Sequence, residues 1–408
     1  MNRRIAACLA AGLLNAAPLD PQTEAGWRSQ IRAALFVPDP LPALDPVTHG
    51  RFHPAPGVVA ERITYATQFG MRVPAILYLP QPLRGRVPAI LIVNGHGGDK
   101  YSWYAFYSGI LYARAGAAVL TYDPAGEGER NRDRKSGTRA HDKVEEPEEM
   151  GRRLGGLMMT DLIQAVSCLS QRPEVDPGRI AAMGYSMGSF VTALTGAVDT
   201  RLKATVLAGG GNLDGPGQYW DGSKPMCQGI PYRTLSFLGD RPAALYALHA
   251  SRGPTLIVNG LEDTTVAIPT HAQPFFEDLR RRAIGLRGGA GGGVFETRFE
   301  SGVGHRPFFV TRPVALWLEQ QLDFPNWTPA GIRALPETHI SEWARTHGVE
   351  MDPLYATEHR EGGVRALGRD VPGLSRRDLS VFPLEQWQRR KDQLIHEKWV
   401  EAARAALR

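Results

Sequence analysis

The sequence predicts an α/β architecture, a mostly parallel central sheet with helices on both faces, with insertions forming a cap and a C-terminal appendage. Three observations predict it. Short, continuously apolar runs recur at residues 89–93, 117–120, 180–183, 204–207 and 255–258, as in strands buried on both faces. Stretches with helical spacing lie between or after them, at 103–115, 158–169, 190–198 and 275–286, which gives βαβ units and a parallel sheet. Hydrophobic residues make up 43% of the chain and charged residues 22%. That composition builds a large core and carries too little charge for disorder.

Taken in order, residues 1–17 begin with Arg3 and Arg4 ahead of an apolar stretch, in the manner of a secretory leader with a poor cleavage site. Export is expected if this leader functions, and a cytoplasmic location otherwise. Residues 18–57 are expected to form an extended arm, because six prolines fall between 36 and 58 and disfavour helix. A catalytic domain is expected over 58–324. Its first segments, 63–66 and 73–79, alternate like an antiparallel pair at a sheet edge. Insertions at 129–149 and 212–252 each follow the carboxyl end of a strand, the edge where open α/β sheets bind ligands. The second concentrates Tyr219, Trp220 and Tyr232 beside Asp221 and Lys224. Such a mixture suits sugar faces and hydroxyls, and equally suits packing of the insertion onto the sheet. The glycine run at 288–293 reads as a connector. Residues 325–408 lack a βαβ unit and end in an amphipathic helix around 394–407, either packed on the core or serving an oligomer contact.

Several function classes are disfavoured. The net charge is +5, with 47 basic and 42 acidic residues interspersed, so no nucleic-acid strip is expected. No run of ~20 apolar residues is available to span a bilayer. Cys8, Cys168 and Cys227 have neither metal-ligand spacing nor the number for a disulfide framework. No His, Cys and carboxylate cluster has zinc spacing, so no metal is expected. Gly126-Glu127-Gly128 lacks the third glycine of a dinucleotide fingerprint and reads as a tight turn.

The strongest chemical signal is Gly184-Tyr185-Ser186-Met187-Gly188 at a strand-to-helix junction. A turn this tight needs small flanking residues and thrusts the serine hydroxyl above the sheet. A serine hydroxyl needs a base, and the base an orienting acid, which should follow in the order acid then histidine. Asp263, just past the 255–258 strand, is the expected acid, with Glu262 and Asp214 as alternatives. His305, between glycines after the last strand, is the expected base. Oxyanion donors are expected from Met187 N–H and from Gly97 or Gly98 in Asn94-Gly95-His96-Gly97-Gly98, where His96 orders the loop. Trp220 and Arg130 are the candidates for substrate contact, and Glu129 is a further residue that can face the pocket.

The stretches His96-Gly97-Gly98, Tyr122 to Arg130, Arg172 to Pro177, Gly184 to Gly188 and Asn259 to Asp263 resemble the dienelactone-hydrolase and prolyl-oligopeptidase branch of the α/β-hydrolases. Within it, residues 58–322 resemble the bacterial acetylxylan-esterase-like carbohydrate esterases. The resemblance implies an α/β-hydrolase fold, a Ser186, Asp263 and His305 triad without cofactor, and a small-molecule or carbohydrate ester as substrate. Departures are visible: dienelactone hydrolases use cysteine as nucleophile, cephalosporin deacetylases carry Gln after it and glucuronoyl esterases Arg, where this chain has Met187. A prolyl-oligopeptidase-type peptidase and a non-catalytic binding protein are the competing expectations. The oligomeric state is left open.

Overall fold

A computed structural model describes residues 18–213, 225–250, 252–289, 293–351 and 364–407. The expected leader, Asp214, Tyr219, Trp220, Asp221 and Lys224 lie outside the described residues.

Nine strands form one sheet: β1 (Val47–Ala55), β2 (Val58–Ala66), β3 (Arg72–Pro80), β4 (Val87–Val93), β5 (Ala118–Tyr122), β6 (Val175–Tyr185), β7 (Leu202–Ala208), β8 (Thr255–Gly260) and β9 (Glu296–Glu300). Their spatial order is β1-β2-β3-β5-β4-β6-β7-β8-β9. From β5 to β9 every pairing is parallel. The β1–β3 end is antiparallel and joins β5 antiparallel. Alternation along β4 separates the two faces. Ala89, Leu91 and Val93 enter one core with helices α3 (Pro147–Ser170) and α4 (Met187–Val198), whereas Ile90 and Ile92 enter the other with α2 (Trp103–Arg114). Since β4 lies between β5 and β6, the chain leaves it toward one side and returns on the other. This creates a switch point where ligand crevices form, with the Asn94–Gly98 loop after β4 facing the turn after β6.

The expected extended arm is corrected. Residues 18–57 begin with a helix, α1 (Pro21–Ala34), and end in the edge strand β1. Asp20 caps α1 by accepting from Gln22 N at 2.8 Å and Thr23 N at 2.9 Å, with Pro21 in the first turn. The prolines that argued for an extended arm lie beyond α1. The arm packs closely on α3, where a Cβ on Gly156 would fall 1.7 Å from Leu35 O. Helix α3 starts at Pro147, eleven residues ahead of the expected 158, so the 129–149 insertion runs into it.

Two short helices, α5 (Met226–Thr234) and α6 (Arg241–Ala250), follow β7, and α7 (Ile268–Leu286) and α8 (Arg312–Leu322) complete the layers. The C-terminal segment packs on the core. Tyr107 Oη donates to Leu367 O at 2.8 Å, Trp387 Nε1 to Glu129 O at 2.9 Å and Trp399 Nε1 to Gln68 Oε1 at 3.2 Å. Among the described residues no helix is long and apolar enough to cross a membrane.

A buried histidine on α6 makes stability depend on pH. His249 is 3% exposed, its Nδ1 lies 2.9 Å from Thr255 Oγ1, and burial, with Arg28 adding repulsion, pushes its pKa down to about 4. The folded chain keeps this imidazole neutral while the unfolded chain protonates it below pH ~6.5. Stability linked to His249 is therefore present above pH 6.5 and lost as pH falls toward 4, by up to about 3 kcal/mol. Thermal unfolding of wild type and His249→Gln at a series of pH values checks this: the variant should lose part of the slope between pH 6.5 and 4, and parallel curves would refute it.

Candidate active site

Ser186 sits between β6 and α4 with φ 55° and ψ −115°, a backbone conformation uncommon for a residue with a Cβ. Its neighbours explain the glycine spacing. A Cβ on Gly184 would lie 2.1 Å from Gly188 O, and one on Gly188 would lie 2.2 Å from Val93 O. Only glycines allow the strand, the turn and the β4 backbone to close on each other. Ser186 N donates to Ala208 O at 2.9 Å, tying the turn to β7.

The hydroxyl meets His305. Ser186 Oγ lies 2.8 Å from His305 Nε2, and His305 Nδ1 lies 2.7 Å from Asp263 Oδ2. Asp263 is fully buried and His305 is 5% exposed, so the contacts operate largely away from bulk water. A carboxylate can only accept, so the proton on this side of the ring belongs to Nδ1, and Nε2 presents a lone pair to the hydroxyl. The Asp263 loop is set by its own bonds: Oδ1 accepts from Val266 N at 3.2 Å and the backbone carbonyl from Ile268 N at 2.9 Å.

Three neighbours hold the imidazole. The Tyr185 ring lies 4.9 Å from the His305 ring between centroids, and its hydroxyl donates to His305 O at 3.1 Å. Gly209, at φ 60°, passes beneath; a Cβ there would come within 2.9 Å of His305 Cε1. Glu262, an alternative for the acid, accepts from Gly302 N at 3.0 Å and Val303 N at 2.6 Å and thereby anchors the histidine loop. Asn259 similarly grips Gly210, accepting from its N–H at 2.8 Å and donating to its carbonyl at 3.0 Å. Sequence reasoning missed Gly209, Gly210 and Asn259 as site-shaping residues. The glycine triplet 209–211 after a strand was the available signal.

Met187 N–H is the first of α4 and has no intrahelical acceptor, which leaves it available beside Ser186. Across the switch point, Gly98 N–H is committed to Gly95 O at 2.9 Å, while Gly97 O accepts from Gly137 N at 2.9 Å. Of the two expected donors after β4, Gly97 is the one without such a commitment. Below this loop Lys100 pairs with Asp123 and, at 2.9 Å, with Glu129, all three fully buried.

Other expectations are revised. Arg130 is 1% exposed, paired with Asp161 and donating to Asp123 O at 3.2 Å, so it supports the fold and does not reach a substrate. Its partner stands 31 residues away on α3, beyond what local sequence reveals. Glu129 is also turned inward, accepting from Val381 N at 2.8 Å and Phe382 N at 2.9 Å and so docking the C-terminal segment. Tyr232 is buried against Arg241, whose guanidinium lies 4.3 Å from its ring centre, and near Phe190. It packs the insertion. Trp220 lies outside the described residues. Finally, metal-ligating side chains do gather: His96, His141, Asp142 and Cys227 converge although their spacing along the chain carries no zinc pattern.

Comparison with known proteins bears on the fold. Residues 43–208 match the acetyl xylan esterase family. The peptidase YuxL of Bacillus subtilis is 29% identical over 151 residues, which are 36% of this chain and 21% of that protein. Aligned segments span 21, 47 and 32% of the first three curated relatives' own lengths. Among solved structures, the acetyl xylan esterase from Paenibacillus sp. R4 has a TM-score of 0.51 at 17% identity, covering 74% of this chain and 95% of that one. Methylesterase BT1017 has a TM-score of 0.51 at 20% identity, covering 90% of this chain and 69% of that one. Likeness at such identities speaks for the fold. The sheet order and the Ser186 turn are those of an α/β-hydrolase fold, and residues 43–208 resemble the acetyl xylan esterases.

Proposed function

We propose that the chain is a serine carboxylesterase that removes short acyl groups, acetyl foremost, from a carbohydrate or similar polar alcohol. The observation that carries this reading is the continuous contact from Asp263 through His305 to Ser186 Oγ, at 2.7 and 2.8 Å, on a strand-to-helix turn. Family likeness over residues 43–208 supports the acetyl side of the ester. In this mechanism Ser186 Oγ attacks the ester carbonyl while His305 Nε2 takes its proton, and the imidazolium is held by Asp263. Met187 N–H and a donor from the Gly97 loop face the developing oxyanion. The alcohol leaves with the proton from His305, and water then repeats the sequence in reverse to free the acid and Ser186.

The test has two arms. A fluorophosphonate probe should attach stoichiometrically and map to Ser186. Hydrolysis of p-nitrophenyl acetate should exceed that of the octanoate by at least tenfold, with acetylated xylo-oligosaccharides deacetylated in turn. Preference for octanoate would overturn the short-acyl reading. Cleavage of methyl uronates or peptides in place of acetylated sugars would reassign the substrate, and failure to label would remove Ser186 as nucleophile.

A further inference from the structure

A second chemical centre lies beside the loop that follows β4. It draws on three separate parts of the chain: His96 from that loop, His141 and Asp142 from the insertion after β5, and Cys227 from the first turn of α5. One ligand atom from each lies within 4.8 Å of all the others. His96 Nε2 is 3.0 Å from His141 Nε2, 2.8 Å from Asp142 Oδ2 and 3.7 Å from Cys227 Sγ. A tetrahedral zinc ion, with bonds of about 2.0–2.3 Å, spaces its ligand atoms roughly 3.3–3.8 Å apart. The four atoms thus need to shift by only about an ångström to enclose one.

Three details separate this group from an ordinary polar contact. His141 Nδ1 donates to Ala125 O at 2.9 Å, so its Nε2 lone pair is directed at the cluster, the second-shell arrangement that orients ligating histidines. The ring is further held by His396, packed edge-on with centroids 6.5 Å apart. Charge also fits: a dication that takes the Asp142 carboxylate and a Cys227 thiolate beside two imidazoles closes the site at zero net charge. Access is one-sided. His141 and Cys227 are fully buried, whereas the His96 and Asp142 side chains keep 9% and 22% of their surface exposed, which provides an entry path.

We propose that His96, His141, Asp142 and Cys227 form a binding site for a divalent transition-metal ion, zinc by its ligand set of two imidazoles, a carboxylate and a thiolate. On binding, the Cys227 S–H bond breaks, the sulfur lone pair goes to the metal and the proton passes to solvent. Four protein ligands fill the tetrahedron, so the ion ties the Gly97 loop to the insertion and to α5 without offering a position to substrate. Neither Ser186 nor His305 is a ligand, so the site stands or falls independently of the proposed hydrolysis.

The full-length chain, stripped with a chelator, is titrated with Co2+ by absorbance and with Zn2+ by calorimetry. One equivalent should bind at micromolar or tighter affinity. Co2+ should give tetrahedral d–d bands with a thiolate-to-cobalt charge-transfer band, and Zn2+ should raise Tm by a few degrees. Cys227→Ser should abolish the charge-transfer band, and His141→Gln should weaken binding at least ~100-fold, with far-ultraviolet circular dichroism reporting folding. Ser186→Ala should bind as wild type does. Sub-stoichiometric uptake by the wild-type chain, absence of the charge-transfer band, or unchanged affinity in folded Cys227→Ser and His141→Gln would overturn the site; if either variant fails to fold, the wild-type stoichiometry and spectrum decide.

Discussion

Ser186→Ala is expected to lower kcat for ester hydrolysis by on the order of 10⁴-fold or more while leaving Tm within a degree or two of wild type. The activity follows from the geometry: Ser186 Oγ is the atom within 2.8 Å of His305 Nε2, and removing it leaves the base without a nucleophile to deprotonate. The preserved fold follows from what anchors the turn. Its backbone is held by Ser186 N to Ala208 O at 2.9 Å and by the close approach of Gly184, Gly188 and Val93, none of which involves the hydroxyl. Alanine retains the Cβ and the same φ, so it neither relieves nor adds backbone strain. Purified variant should be compared with wild type on p-nitrophenyl acetate and by calorimetry. Activity within tenfold of wild type would exclude Ser186 as nucleophile, and a large fall in Tm would mean that the hydroxyl supports the fold.

For Asp263→Asn the expected loss in kcat is on the order of 10³- to 10⁴-fold, with a small change in KM. An asparagine is nearly isosteric and keeps an oxygen for Val266 N, which Asp263 Oδ1 serves at 3.2 Å. What changes is the atom facing His305 Nδ1 at 2.7 Å. If the amide presents its N–H2 there, it selects the tautomer with a lone pair on Nδ1 and the proton on Nε2, and such a ring cannot accept from Ser186. If it presents its oxygen, the tautomer survives but the negative charge that stabilises the imidazolium is gone. Single-turnover rates of the variant, read beside Glu262→Gln, separate acid from anchor. Among the described residues the Glu262 carboxylate accepts from Gly302 N and Val303 N of the histidine loop and does not touch the imidazole, so its loss should be felt far less. A near-wild-type Asp263→Asn would place the orienting acid elsewhere, with Asp214 the remaining alternative.

Both arguments use residues that the sequence itself singled out, and the reason is local. The G-x-S-x-G spacing is dictated by backbone clearance within five residues, and the loop carrying Asp263 follows β8, an apolar run buried along its whole length, while His305 stands out by its glycine-rich loop later in the chain. The buried strands β4 to β8 were legible for the same reason: a parallel strand buried on both faces must be continuously apolar, and residues 90–92 and 180–183 are. Edge strands carry a weaker signal. β1, of whose nine residues only Val47, Phe52 and Ala55 are apolar and only two are buried, carries no alternation that marks it as a strand.

What chain order and composition determined by themselves is thus the α/β class, the Ser186 turn and the order of its partners, because each depends on interactions that repeat or close over a few residues. What only the tertiary structure decided depends on partners far apart in the chain. Arg130 is taken up by Asp161 on α3, 31 residues along the chain. The Glu262 carboxylate holds a loop forty residues on. His96, His141, Asp142 and Cys227 came together only when β4, the insertion and α5 folded against one another. The physical reason is common to all three. A charge or a ligand atom acts over a few ångströms, and which groups share that distance is set by how the sheet and its insertions pack, information that spacing along the chain does not contain.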